Sequence, residues 1–223
     1  MNEVLKSFLL FIMYSFCGWL LEVVNVSIKS KKVCDRGFLI GPICPIYGIS
    51  SLIMILLLNK YKHDYLVLFF MSMMICSIIE YITSYIMEKL FKTRWWDYSK
   101  NKFNLNGRVC LKNSVLFGIL GIIVVAYINP LFLDLLNKIN YNTQNYIGIV
   151  LLVLFILDVS ISLNIINKVK VAADNLRKDF TEEIHEKIKT FIKSKSFLYK
   201  RLFKAFPNLK VNIKIGNNKK GIK

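Results

Sequence analysis

Apolar residues run in five long waves: roughly Val4–Ile28, Phe38–Asn59, Tyr65–Glu88, Lys112–Leu136 and Asn145–Asn167. Each comes close to the twenty or so residues a helix needs to cross a hydrocarbon layer about 30 Å thick. The pattern predicts an all-α fold, a polytopic transmembrane helical bundle of about five spans within residues 1–167. The second wave is the least regular, because Gly41, Pro42 and Pro45 fall in its first turns. Proline there predicts a broken or re-entrant start. Asn129-Pro130, late in the fourth wave, predicts a kink or a helix end. The first wave is too long for a signal peptide, lacks a basic cluster before it and has no A-x-A-like site after it, so it is expected to be retained.

From Lys168 the chain turns polar. Leu176, Phe180, Ile184 and Ile188 recur every four residues, which predicts one apolar stripe on an amphipathic helix. Residues 168–223 thus read as a basic cytoplasmic tail, helical to about 205 and disordered beyond, where the chain ends NNKKGIK.

Charge then gives the bundle a direction. The net charge is +17, from 31 Lys and Arg against 14 Asp and Glu. Segments on one side of the expected bundle hold only Lys6, Lys60, Lys62 and Lys138, whereas the alternate segments hold 4 basic residues in 29–37, 7 in 89–112 and 16 from 168 onward. Basic residues are retained on the cytoplasmic side. The expectation is a multi-pass protein of a bacterial cytoplasmic membrane, with its amino terminus outside and its carboxyl terminus in the cytoplasm. From Lys187 to Lys223 there are 12 basic residues and no acid. Such a cluster is drawn to anionic inner-leaflet lipids at about 1 kcal/mol per charge close to the surface. A contact with a partner protein is the alternative, and nucleic acid is not an expected partner.

Direction also aligns the intramembrane acids. Glu22, Glu80 and Asp158 each lie six to nine residues from the expected cytoplasmic end of their spans, and Tyr47 falls in the same layer. An acid at that depth costs about 2.5–3.5 kcal/mol, to be offset by protonation, a cation or a water-filled cavity. Arg36 and Arg108 sit in the connections beside this layer, and a guanidinium can hold a carboxylate or phosphate with two prongs. The stretch WWDYSKNKFNLNGR, Trp95 to Arg108, stands out in so apolar a chain. Trp95 and Trp96 suit the headgroup level as interface anchors. Asp97, Asn106 and Arg108 are expected to fold back toward Glu22, Glu80 and Tyr47, with Gly107 permitting the turn. The candidate polar cavity or substrate-binding set is therefore Glu22, Arg36, Tyr47, Glu80, Asp97, Asn106 and Arg108. Plainer readings stand beside it: Glu88 as a solvated span end, Asp158 as a bond to a neighbouring helix, and Glu22 and Glu80 as structural pairs.

Other chemistry is thin. The five cysteines form no CxxC pair and only His63 and His185 are present, so neither a metal nor another cofactor is expected. GxxxxGK[ST], HExxH and GxSxG are missing. A single broken span also differs from the inverted pair of broken helices common in secondary transporters.

The succession FCGWLLEV (16–23), DRGFLIGPICPIYG (35–48), EYITSYIMEKLF (80–91) and WWDYSKNKFNLNGRVCL (95–111) resembles the bacterial ABC-transporter type IV, or CmpB-like, membrane family over residues 5–165. The resemblance implies a small polytopic permease and, since no nucleotide site lies in this chain, a separate ATPase subunit. It carries over no catalytic residue. The leading expectation is a permease-like subunit with a polar cavity in its cytoplasmic half, coupled to an ATPase or other partner. A membrane enzyme or binding protein acting on an anionic lipid or lipid-linked headgroup is the alternative, with Arg36 and Arg108 on the phosphate. A non-catalytic regulatory or scaffold subunit is a third.

Overall fold

In the computed structural model, which describes residues 3–31, 37–91, 93–176 and 210–211, α1 (Glu3–Ser30) is one continuous helix. It is followed by α2 (Pro45–Leu58) with a short 3-10 turn to Tyr61, and then by α3 (Tyr65–Phe91). A connection with three two-residue strands, β1 (Thr93–Arg94), β2 (Asn104–Leu105) and β3 (Val109–Cys110), leads into α4 (Leu111–Ile122). A π-helical stretch, Ile123–Ile128, joins α4 to α5 (Asn129–Asn137), and α6 (Tyr141–Leu176) follows. Among the described residues four helical stretches are long and apolar enough to cross a membrane: Glu3–Ile28, Tyr65–Phe91, Leu111–Asn137 and Tyr141–Asn167. The fold is an all-α bundle, and the protein is a multi-pass membrane protein.

The second expected span, Phe38–Asn59, is helical only from Pro45. At 1.5 Å per residue, the 14 residues of α2 make a helix about 21 Å long, short of a full crossing. Sequence chemistry explains the late start. Proline lacks an N–H and is pre-shaped for the first helical position, which Pro45 occupies. Ahead of it, residues 37–44 are non-helical, and four of their amides, those of Ile40, Gly41, Ile43 and Cys44, have acceptors. Ile40 and Gly41 donate to Asp158 Oδ1 and Oδ2, each at 2.8 Å. Ile43 N–H donates to Gly41 O at 2.8 Å, and Cys44 N–H to Ser15 O at 3.0 Å; Pro42 has no N–H to satisfy.

Ser15 lies near the midpoint of α1, so α2 starts halfway along that helix. It then runs antiparallel to it, with Leu52 and Ile55 packed against the cluster of Leu9, Leu10, Tyr14 and Leu136. Close approach makes this possible: a Cβ at Gly18 would collide with the Tyr47 ring. At the other end of α1, Phe38 packs with Phe91 and Trp95. Residues 37–44 therefore pass from the end of the bundle that carries the α3–α4 connection down to its middle.

At the opposite end, Asp64 caps α3 by accepting the Val67 N–H at 3.0 Å. Gln144 Nε2 ties the α5–α6 turn to Leu136 O at 2.6 Å and Ile139 O at 2.9 Å. One core cluster gathers Met54, Leu58, Leu68, Ile75, Cys76 and Val125 from α2, α3 and the π-helical stretch. Asn129 is more than the kink expected of it. It is 2 % exposed, and its Oδ1 accepts from the Tyr14 hydroxyl at 3.1 Å.

The amphipathic stripe expected beyond Leu176 lies outside the described residues. Within the stretch expected to be disordered, Lys210–Val211 forms β4 and pairs antiparallel with Thr93–Arg94, using backbone that a strand edge leaves open. This pairing puts that part of the tail on the same end of the bundle as the α3–α4 connection.

Candidate functional site

Two acids of the middle layer, Glu22 and Glu80, are held by tyrosines. Tyr47, in the first turn of α2, donates its hydroxyl to Glu22 Oε1 at 2.7 Å. From the α3–α4 connection, Tyr98 donates to Glu80 Oε1 at 3.1 Å. Glu80 is 7 % exposed, and its Oε2 is buried with no hydrogen-bond partner among the described residues. The two pairs belong to one constellation, because Glu22 and Glu80 interact electrostatically and Tyr98 senses both. Burial first, and then the Glu80 charge, raise Tyr98 well above the ordinary phenol range. It therefore stays a donor at any physiological pH.

The connection reaches Glu80 because it folds back as a hairpin. Strands β2 and β3 pair in antiparallel register, Asn104 with Cys110 and Leu105 with Val109. The turn between them takes Asn106 and Gly107 through φ of 53° and 67°, a region that glycine enters without strain. A Cβ at Gly107 would also press on Ser99 and Asp97. Tyr98 N–H closes the fold onto Gly107 O at 2.8 Å.

About two helical turns further along α3 is a charged layer. Arg108 Nη1 meets Glu88 Oε2 at 2.7 Å, and Arg94 Nη2 meets the same oxygen at 3.2 Å. The Arg108 guanidinium lies over the rings of Tyr81 and Tyr85, 5.7 Å and 5.4 Å from their centroids. Arg94 Nη1 stands 3.7 Å from Asp97 Oδ1.

Sequence reasoning expected Asp97, Asn106 and Arg108 to face Glu22, Glu80 and Tyr47. The structure distributes them differently. Arg108 pairs with Glu88, Asn106 Nδ2 donates to the Tyr81 hydroxyl at 2.9 Å, and Asp97 accepts from the Ser99 N–H at 3.0 Å and from its hydroxyl. Hairpin register is the reason, since it aims Tyr98 inward and sets Arg108 beside the last turns of α3. Glu88, expected to be a solvated span end, is part-buried beneath two guanidinium groups. Tyr98 and Glu88 were both missed. The available signal was the clustering of three of the five arginines (Arg36, Arg94, Arg108) in two short connections, which calls for an acid nearby. Arg36 lies outside the described residues.

Trp95 is 7 % exposed, its ring packed among Phe38, Phe91 and Ile166. Trp96 is half-buried and donates its Nε1–H to Arg108 O at 3.0 Å. Both tryptophans thus hold the connection to the bundle. Asp158, besides anchoring Ile40 and Gly41, accepts from the Ser162 hydroxyl at 3.1 Å, so its two oxygens serve the non-helical segment.

No curated protein and no solved structure matches the chain. Residues 9–163 match the family described as "Putative ABC-transporter type IV". They include α2 with its non-helical lead-in, both carboxylate–tyrosine pairs and the whole connection hairpin, and by that match the chain belongs to this transporter-type membrane family.

Proposed function

We propose that this protein is a permease-like membrane subunit whose polar pathway lies in the half of the bundle under the α3–α4 connection. The observation that carries the reading is the stretch 37–44, non-helical backbone that runs from the connection end of the bundle to its middle. Such backbone is tolerated at membrane depth where it is enclosed by protein or lines a cavity. Broken helices beside intramembrane acids are a recurrent way of building a transport site. Here the break places Tyr47 on Glu22, next to Glu80 and Tyr98.

In this reading the amino terminus faces outward and the connection and tail face the cytoplasm, in keeping with the distribution of Lys and Arg. The basic tail rests against anionic lipid. Energy comes from a separate ATPase subunit docked on the connection, since the chain carries no GxxxxGK[ST] phosphate cradle. An anionic-lipid site built on Arg108 is less favoured, because Glu88 and two tyrosine rings already occupy that guanidinium.

The test is purification of the tagged full chain from its own membranes in mild detergent, with identification of every accompanying polypeptide. A nucleotide-binding subunit in fixed ratio is the expected result. A preparation that holds this chain and lipid alone, yet transports nothing when reconstituted with ATP, overturns the reading.

A further inference from the structure

The carboxylates of the middle layer present an unbalanced charge. Every described arginine is engaged by Glu88 or Asp97 in the outer layer. Glu80, by contrast, receives one phenol hydroxyl on Oε1, while Oε2 points into the protein with no partner among the described residues. Glu22 receives the Tyr47 hydroxyl. Phenols donate without supplying charge, so Glu80, which feels the charge of Glu22, and Glu22 itself are both held by neutral groups. A carboxylate as buried as Glu80 must carry a proton, meet a cation or reach water.

From this arrangement we infer that Glu22 and Glu80, oriented by Tyr47 and Tyr98, form a binding site for a monovalent cation that exchanges with a proton on Glu80. The inference deepens the transport reading, on which it rests, by naming the class of ligand. When the cation enters, one proton leaves Glu80 and the net charge of the site is unchanged. The orphaned Oε2 becomes a ligand atom, and the phenol oxygens of Tyr47 and Tyr98 keep lone pairs available. An anion does not fit. Two carboxylates repel it, and Cys44 N–H and Tyr47 N–H, at the start of α2, already donate to Ser15 O and Cys44 O.

The titratable groups that face the pair are Tyr47 and Tyr98, together with Cys76 beside Glu80, Cys44 beside Tyr47 and Cys110 beside Tyr98. Among the described residues none of these is a cation, so the exchange falls to the carboxylates. Two sources share the ligand chemistry, inorganic ions such as Na+ and K+, and small substituted ammonium ions.

The test uses the full chain in detergent or lipid nanodiscs, without partner or transport assay. Dicyclohexylcarbodiimide, an apolar reagent, attacks carboxyl groups that carry their proton, and peptide mass analysis locates the adduct. Glu80 is expected to be labelled at low pH and to be protected as Na+, K+ or tetramethylammonium replaces bulky N-methylglucamine at constant ionic strength. Protection by the first two marks an inorganic ion, and protection by the third an ammonium compound. Each unit of pH lowered within the protonated range should raise the protecting concentration about tenfold, as one-for-one exchange requires. Asp134, exposed near the opposite end of the bundle, reports any unspecific salt effect, and a Glu80→Gln variant verifies the assignment of the adduct. Labelling that follows pH alone and ignores all three cations overturns the cation site, as does a Glu80 never labelled at any pH. Because no ATPase is present, either result leaves the permease reading to its own test.

Discussion

Two layers of this protein solve one problem in opposite ways. In the outer layer Glu88 is neutralised by Arg94 and Arg108 at 3.2 Å and 2.7 Å, and the tyrosines beside it merely carry the guanidinium. In the middle layer Glu22 and Glu80 meet tyrosine hydroxyls and no described cation. An arginine is a permanent counter-charge and locks its acid. A phenol orients an acid while leaving its charge to be settled by whatever arrives. The outer layer thus fastens the hairpin, and the middle layer holds its acids without fixing a counter-charge among the described residues.

The contrast breaks most visibly at Glu88. Glu88→Gln leaves two part-buried guanidinium groups facing a neutral amide and should cost about 2–3 kcal/mol. That is below the full penalty for unpairing a buried charge, because each side chain retains some exposure. Thermal unfolding in detergent, followed by the fluorescence of Trp95 and Trp96, would read it. An unchanged midpoint would mean that solvent already satisfies the arginines.

Asp158 tests the segment that leads down to the middle layer. Asp158→Ala strips acceptors from the Ile40 and Gly41 amides, at about 2 kcal/mol once water has partly replaced them. Asp158→Asn, which keeps one acceptor oxygen, should lose about half as much. Hydrogen exchange of the peptide covering 37–44 should accelerate in the same order. Equal exchange in all three proteins would show that other contacts hold the segment.

These effects separate what the sequence discloses from what it hides. Four of the five expected spans were legible because the hydrophobic free energy of a crossing is summed over some twenty residues. The depth shared by Glu22, Glu80 and Tyr47 followed from the fixed rise of a helix. Pro42 and Pro45 announced irregularity at the start of α2, but the length of the break depended on Asp158, more than a hundred residues away. Tyr98 was invisible for a similar reason. Its reach to Glu80 is decided by the β2–β3 register and the Asn106–Gly107 turn, and neither depth nor hydropathy encodes the direction of a side chain about a hairpin. Glu88 was misread because a position at the end of a span says nothing of what folds back over it.

The smallest change tests the contrast at the level of one atom. Tyr98→Phe removes a single hydroxyl, and the ring that packs the hairpin remains. If Tyr98 only braces the hairpin, the whole effect is a stability loss of about 1 kcal/mol, with cation protection of Glu80 unaltered. If it orients a carboxylate for exchange, the same loss also appears in binding, and the protecting concentration rises about fivefold, the equivalent of 1 kcal/mol. Trp96→Phe is the matched control. It removes one donor from the Arg108 carbonyl and should lower stability by a similar amount while leaving protection of Glu80 where it was. A Trp96→Phe variant that weakened protection as much as Tyr98→Phe would show that the two layers act as one, because loosening the hairpin would then suffice to disturb the acid beneath it.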